Sequence, residues 1–140
     1  MKFVKLSSTA ITPTRGTQGS AGLDLYAAQD VLVSSGASVM LSTGIAIEIP
    51  KGHVGLVAIR SSIGKSGVSL ANSVGVIDSD YRGEIKLCLT YNAGNGGHYI
   101  RKGLAVAQII IMPVLQVELV EVDALSTTER GAGGFGSTGA

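Results

Sequence analysis

Apolar residues recur at every second position along most of this chain. Ile45, Ile47 and Ile49 alternate with Ala46 and Glu48, and Ile85, Leu87, Leu89 and Tyr91 alternate with Glu84, Lys86, Cys88 and Thr90. A period of two marks a strand with one buried face, because successive side chains of an extended chain point to opposite sides. The same pattern predicts short strands over 31–33, 38–43, 54–59, 106–112 and 114–122. Ser34-Ser35-Gly36, Pro50-Lys51-Gly52 and Asn92-Ala93-Gly94-Asn95-Gly96-Gly97 punctuate them as turns. Only the stretch 63–67 admits a helix, of one or two turns, and Gly64 and Gly67 weaken it. Many short strands joined by glycine-rich turns predict an all-β sandwich or barrel, with a jelly roll the natural candidate.

The pattern stops near the C-terminus, which divides the chain into a β core over 1–125 and a tail over 126–140. Five glycines follow Arg130, around Phe135, Ser137 and Thr138. Such a segment buries too little apolar area to order itself, so it is expected to be flexible. A frayed terminus is the plain reading. One Arg, one aromatic and two hydroxyls among glycines are also the parts needed to grip a phosphate and cover a base.

Composition narrows the picture. At 140 residues the chain is long enough for one domain with a real core. Charged residues make up 15%, against about 25% in ordinary soluble domains. A small monomer needs charge to cover its surface, so the shortfall points to surface buried against copies of itself. A net charge of +1, with basic residues dispersed apart from Arg101 and Lys102, gives no footprint for nucleic acid. A small phosphate-bearing molecule stays possible, since it needs only a few placed cations. The single cysteine, Cys88, excludes an intramolecular disulfide framework and is expected to be a small buried side chain. The longest apolar stretch, Leu104 to Leu115, is broken by Gln108 and Pro113, and the first residues hold no apolar signal core. No membrane association is expected, and a soluble, cytoplasmic location is. His53 and His98 are expected at the surface.

Two patterns are decoys. Gly64-Lys65-Ser66 resembles the end of a phosphate-binding P-loop, but the loop's first glycine would fall on Ile59. Gly131-Ala132-Gly133-Gly134-Phe135-Gly136 satisfies GxGxxG literally, yet follows no βα unit and opens no helix.

Five other segments carry the chemistry: Ala21-Gly22-Leu23-Asp24-Leu25; Arg60-Ser61-Ser62-Ile63-Gly64; Gly75-Val76-Ile77-Asp78-Ser79-Asp80-Tyr81-Arg82-Gly83; Gly103-Leu104-Ala105-Val106-Ala107-Gln108; and Arg130 through Gly139. In order and spacing they resemble the five motifs of the trimeric dUTPase family, the deoxyuridine 5'-triphosphate nucleotidohydrolases, over nearly the whole chain. The resemblance implies a jelly-roll homotrimer that hydrolyses dUTP to dUMP and pyrophosphate. That reaction limits uracil incorporation into DNA and supplies dUMP for thymidylate synthesis.

Hydrolysis of a triphosphate needs a placed water, a base for its proton and neutralisation of phosphate charge. Asp78, expected in a polar hairpin, can be that base. Asp80, two residues on, points the same way if the stretch is extended. A turn Asp also serves to bond its own backbone, so the residues alone leave both roles open. The resemblance assigns the base to Asp78 and leaves Asp80 a structural role. It implies that the Tyr81 ring packs under the deoxyribose and excludes a 2′-hydroxyl. Asn72 and backbone groups of the hairpin, Gly75 and Ile77 among them, would bind uracil. Unpaired donors and acceptors would then reject cytosine. Arg60, Ser61, Ser62 and Gln108 match positions near phosphate and water, while Asp24 supports the phosphate and metal region. Arg130, Ser137 and Thr138 would hold the γ-phosphate, with Phe135 and Gly136 over the uracil. Mg²⁺ is implied as cofactor, on the phosphates and water rather than on direct protein ligands.

Two motifs depart from the family pattern. Ile59 and Ser62 stand where Pro and Gly are usual, and Leu104 and Ala105 replace an acidic residue and an Arg. Losing both charges together strands neither, which reads as a changed structural or interface contact. A dCTP deaminase-like enzyme and a non-enzymatic jelly-roll binding protein are the rival readings. The complete tail motif and the Asp78–Tyr81 segment weigh against both.

Overall fold

The computed structural model describes residues 1–136. They form eleven strands and one helical turn: β1 (Lys2–Lys5), β2 (Leu23–Tyr26), β3 (Val31–Ser34), β4 (Ser38–Ser42), β5 (Ile45–Glu48), β6 (His53–Ile59), α1 (Ser61–Gly64), β7 (Val68–Leu70), β8 (Gly75–Ile77), β9 (Lys86–Tyr91), β10 (Gly97–Ile100) and β11 (Ala105–Pro113). The architecture is the expected all-β, jelly-roll-like sandwich. A four-stranded sheet runs β2-β11-β6-β8, a three-stranded one runs β4-β9-β7, and the pairs β1-β5 and β3-β10 complete it, with all strand pairs antiparallel.

The core is where the alternation predicts it. Leu25, Val33, Leu41, Ile45, Ile85, Leu87, Leu89, Ile100, Val106 and Ile109 are all essentially without solvent contact. β11 lies between β2 and β6 and pairs with β6 over seven residues, Ala107 through Pro113 against Ile59 through His53. This pairing is the backbone of the site described below. A bulge in the β11–β2 ladder between Ala105 and Ala107 lets Val106 turn into the core as well.

Several expectations need correction. The strand predicted over 114–122 does not form; those residues pair with no strand and Leu115 and Leu119 are 89% and 98% exposed. Alternation makes a strand possible, but a ladder partner makes it real, and the described residues offer none there. The helical turn sits at 61–64 rather than 63–67. Asp78 and Tyr81 do not lie on a hairpin: β8 pairs with β6 and β9 with β4 and β7, so residues 78–85 cross from one sheet to the other. Cys88 is half-buried, opposite Met40 on the face of β9 turned away from Leu87 and Leu89. His53 and His98 are also half-buried. Strands β1, β2, β7, β8 and β10 are short pieces that no alternating run announced. Among the described residues, no helix is long and apolar enough to cross a membrane.

Candidate active site

One group of site residues gathers on the four-stranded sheet. Gln108 of β11 stands opposite Asp24 of β2 on one side and Ala58 of β6 on the other. Directly opposed residues of an antiparallel pair share a face, and Arg60 lies two residues beyond Ala58. Arg60 Nε therefore meets Asp24 Oδ1 at 3.4 Å, with the carboxylate side chain 17% exposed and the guanidinium 39%. The Arg60 N–H donates to the Val106 carbonyl at 3.0 Å, which ties the segment leaving β6 to β11. Ser61 and Ser62 follow at once, exposed on the single turn of α1. Gly22 completes the group: a Cβ there would lie 2.5 Å from Gln108 Oε1 and 3.0 Å from its Cβ. The clash is with a residue distant in sequence, so no local signal marks the need for glycine there.

A second group sits around β8, an edge strand. Antiparallel pairing to β6 uses one edge of Gly75–Ile77 and leaves the backbone groups of the other edge without a strand partner. Asn72 is exposed in the turn before it, where the Val74 N–H donates to the Asn72 carbonyl at 2.6 Å. Asp78 follows β8. The segment Asp78–Tyr81 is a turn, with the Tyr81 N–H on the Asp78 carbonyl at 3.2 Å, so the condition of an extended stretch is not met. Asp78 and Asp80 nevertheless line one cavity of ≈ 860 Å³, together with His53, Lys51 and Arg82. Asp78 and Tyr81 share a smaller one of ≈ 270 Å³ with Met40, Val76 and Lys86. The Tyr81 Oη donates to the Glu84 carbonyl at 3.0 Å, and a Cβ on Gly83 would overlap the ring.

Glu84 was not singled out from the sequence. Its carboxylate accepts from Ser42 Oγ and, at 2.7 Å, from the Gly44 N–H, with Lys86 Nζ 3.6 Å away. Burial pushes its pKa up, but these donors and the lysine outweigh that and hold it below the ordinary glutamate range. Gly44 has φ of 66° and no room for a side chain against Ala10 and Ser7, so the N–H that Glu84 accepts depends on glycine there. Ser42 precedes Glu84 by 42 positions, which is why no local signal marks the contact.

The third group is the tail. Arg130 Nε donates to the Gly133 carbonyl and the Gly133 N–H to the Arg130 carbonyl, each at 3.0 Å. Phe135 is fully exposed, with φ of 51°, and Gly136 follows at φ of 90°. Ser137 and Thr138 lie outside the described residues.

These groups do not converge within one chain. Ile77 stands opposite Gly55, which puts Asp78 level with Val54, whereas Gln108 stands opposite Ala58 on the far side of β6. Four residues along the strands and two strand spacings across give a Cα separation of roughly 16 Å. Arg60 is two residues farther still. Among the described residues no cluster of three or more His, Cys, Asp or Glu could hold a metal. Asp24, already beside Arg60, presents one carboxylate to this group, which fits a cation held chiefly by bound ligand and water rather than caged by protein.

Over nearly its whole length the chain is similar to known proteins of one family. A family model described as dUTPase matches residues 8–139. A deoxyuridine 5'-triphosphate nucleotidohydrolase of Nautilia profundicola is 45% identical over 140 residues, covering 99% of this chain and 98% of the relative. The protein of the same name from Hydrogenobaculum sp. is 48% identical over 137 residues, covering 96% and 94%. The dUTPase of Staphylococcus bacteriophage 80alpha, solved with dUPNHPP, superposes with a TM-score of 0.90 at 27% identity, covering 99% of this chain and 98% of that one. A point mutant of the dUTPase from phage phi11 of S. aureus, solved with a structural Mg(II) ion, superposes at 0.81 with 25% identity, covering 88% and 96%.

Proposed function

The chain belongs to the dUTPase family, enzymes that hydrolyse dUTP to dUMP and pyrophosphate, and from that premise we propose how its residues divide the reaction. Asp78 is the base that takes a proton from the attacking water, and Gln108 holds that water against the phosphates. Asp80 beside it shapes the turn. Arg60, Ser61 and Ser62 bind the phosphate chain, with Asp24 fixing the Arg60 guanidinium. Asn72 and the free backbone edge of Gly75–Ile77 read uracil, and Tyr81 packs against the sugar where a 2′-hydroxyl would stand. Residues 126–140 close over a core of 1–125 as a lid, in which Arg130, Ser137 and Thr138 clamp the γ-phosphate and Phe135 and Gly136 cover the base.

The phage phi11 dUTPase holds a structural Mg(II) ion. We assign the metal here to Mg²⁺ on the triphosphate oxygens and water, near Asp24, where it would neutralise charge on the phosphates. The bound dUPNHPP of the phage 80alpha enzyme supports a triphosphate occupant of this kind.

The observation that carries the assembly is the separation of Asp78 from Gln108. Two groups that share one water stand about 6 Å apart at most, since each hydrogen bond spans about 2.8 Å. With Cα atoms roughly 16 Å apart across the sheet, an Asp reaching about 3.5 Å and a Gln about 5 Å toward each other still leave about 7 Å between them, more than one shared water spans. A closed ring of three copies brings Asp78 of one subunit to Gln108, Arg60 and Ser61 of the next, with the tail from another. The low charge content and the exposed apolar row Leu115, Val117, Leu119, Val120 and Val122 are consistent with contact between copies.

Refolding an equal mixture of Asp78→Asn chains and chains lacking 130–140 tests the division. Each is expected to be nearly inactive alone, and if a site takes its base and its tail from different subunits, about one quarter of sites are whole under random assembly. Activity near a quarter of wild type is the expected result. A mixture as inactive as its components, with mixed trimers verified, would refute the shared site.

A further inference from the structure

The segment 78–85, which carries both Asp78 and Tyr81, crosses between two sheets without belonging to either. Up to Arg82 its backbone and guanidinium bonds are internal: Tyr81 N–H to the Asp78 carbonyl at 3.2 Å, and Arg82 Nη1 to the Ser79 and Tyr81 carbonyls at 2.8 and 2.9 Å. Such bonds shape the segment but do not fix it to the body. The attachment comes at its end. The Ile85 N–H donates to the Ile45 carbonyl at 2.8 Å, and Thr43 Oγ1 donates to the Ile85 carbonyl at 2.6 Å. One residue earlier, Glu84 reaches the connection between β4 and β5 through its side chain, while its carbonyl accepts the Tyr81 hydroxyl at 3.0 Å.

We propose that Glu84 is a positioning residue for sugar selection: its carboxylate, held by Ser42 and Gly44, fixes the peptide on which the Tyr81 ring rests. The inference depends on the reading of Tyr81 as the sugar-facing ring. Glu84 links ring and sheet, because the same residue bonds Ser42 and Gly44 by its side chain and the Tyr81 hydroxyl by its backbone. A bond to an ionised carboxylate is about twice as strong as a neutral one, so the anchor is stiff as well as short. Gly83 leaves room for the ring, since a Cβ there would overlap Tyr81 Oη and Cζ. The two Ile85 bonds survive the loss of Glu84, which keeps the end of the segment on the core and the fold intact.

The test compares steady-state kinetics on dUTP and UTP for Glu84→Ala, Glu84→Gln, Ser42→Ala and Tyr81→Ala. Glu84→Ala should raise KM for dUTP roughly tenfold and lower the dUTP/UTP preference by a similar factor, short of the about hundredfold that a 1 Å misplacement can cost. Its kcat should change far less than that of Asp78→Asn. Glu84→Gln keeps an acceptor oxygen for Ser42 and Gly44 and should recover most of the preference. Ser42→Ala, which removes one donor and no backbone contact, should shift the preference in the same direction by less. An unchanged preference in Tyr81→Ala would overturn the reading of the ring, and this inference with it. A lowered preference in Tyr81→Ala with an unchanged one in both Glu84→Ala and Ser42→Ala would overturn the positioning role alone. So would a Glu84→Gln variant as impaired as Glu84→Ala.

Discussion

Replacing Gly22 with alanine should damage catalysis through Gln108 and through little else. The backbone of Gly22 is not in the left-handed region, so alanine adds no conformational strain there. Only the added methyl matters, at 2.5 Å from Gln108 Oε1, 3.0 Å from its Cβ and 3.2 Å from its Cδ. Carbon contacts are comfortable at about 3.5–4.0 Å, so the methyl intrudes by about 0.5 Å or more on Cβ and about 0.3 Å or more on Cδ. Gln108 Cβ cannot retreat, because β11 is pinned by ladders to β2 and β6 at that residue. The amide must swing aside and β2 must give by a few tenths of an ångström. Overpacking of this kind costs about 1–3 kcal/mol, which should appear as a lower melting temperature. Displacing the amide by about 1 Å should reduce kcat by ~10- to 100-fold, with KM changing less. The decisive assay is a double-mutant cycle on kcat/KM for dUTP. Gln108→Ala removes the Oε1 and Cδ contacts, so Gly22→Ala should add less than about threefold in that background. A full additive loss on top of Gln108→Ala would refute the reasoning and point to the Asp24–Arg60 pair instead.

Asp78→Asn should bind dUTP almost as wild type does, measured by calorimetry, while kcat falls by about 10²–10⁴, since the amide keeps the shape but takes no proton. Deleting 130–140 should leave the melting transition nearly unchanged, because the described tail residues bury almost no apolar surface, and should lower kcat/KM by about 10²-fold through loss of phosphate clamping and water exclusion. Glu84, whose carboxyl is held below the ordinary range in the folded chain, contributes stability that is fully present above the unfolded value and lost as pH falls through the folded one. The gap in urea midpoint between wild type and Glu84→Gln should therefore be largest near neutral pH and close on acidification; a gap that stays constant would deny the carboxylate that role.

Much of this protein is legible from residue order alone. Alternation at 45–49, 85–91 and 106–112 marks strands whose inward residues are those the core buries, because a sheet with one covered face imposes period two on any sequence that forms it. The motifs, being short and local, identify the dUTPase family and with it the reaction. Tertiary structure decided what alternation cannot carry, namely partnership. The 114–122 run has the pattern of a strand and no ladder, while Gly75–Ile77 has hardly any pattern and is a strand because β6 lies beside it. The union of Asp24, Arg60 and Gln108 exists because β11 threads between β2 and β6, and the clearance at Gly22 follows from that union. The Ser42–Glu84 contact joins two segments with no local relation, so it appears only when the chain closes on itself. Local chemistry is written in neighbouring residues, whereas distance across a sheet is set by which strands pair, and pairing is a property of the folded whole.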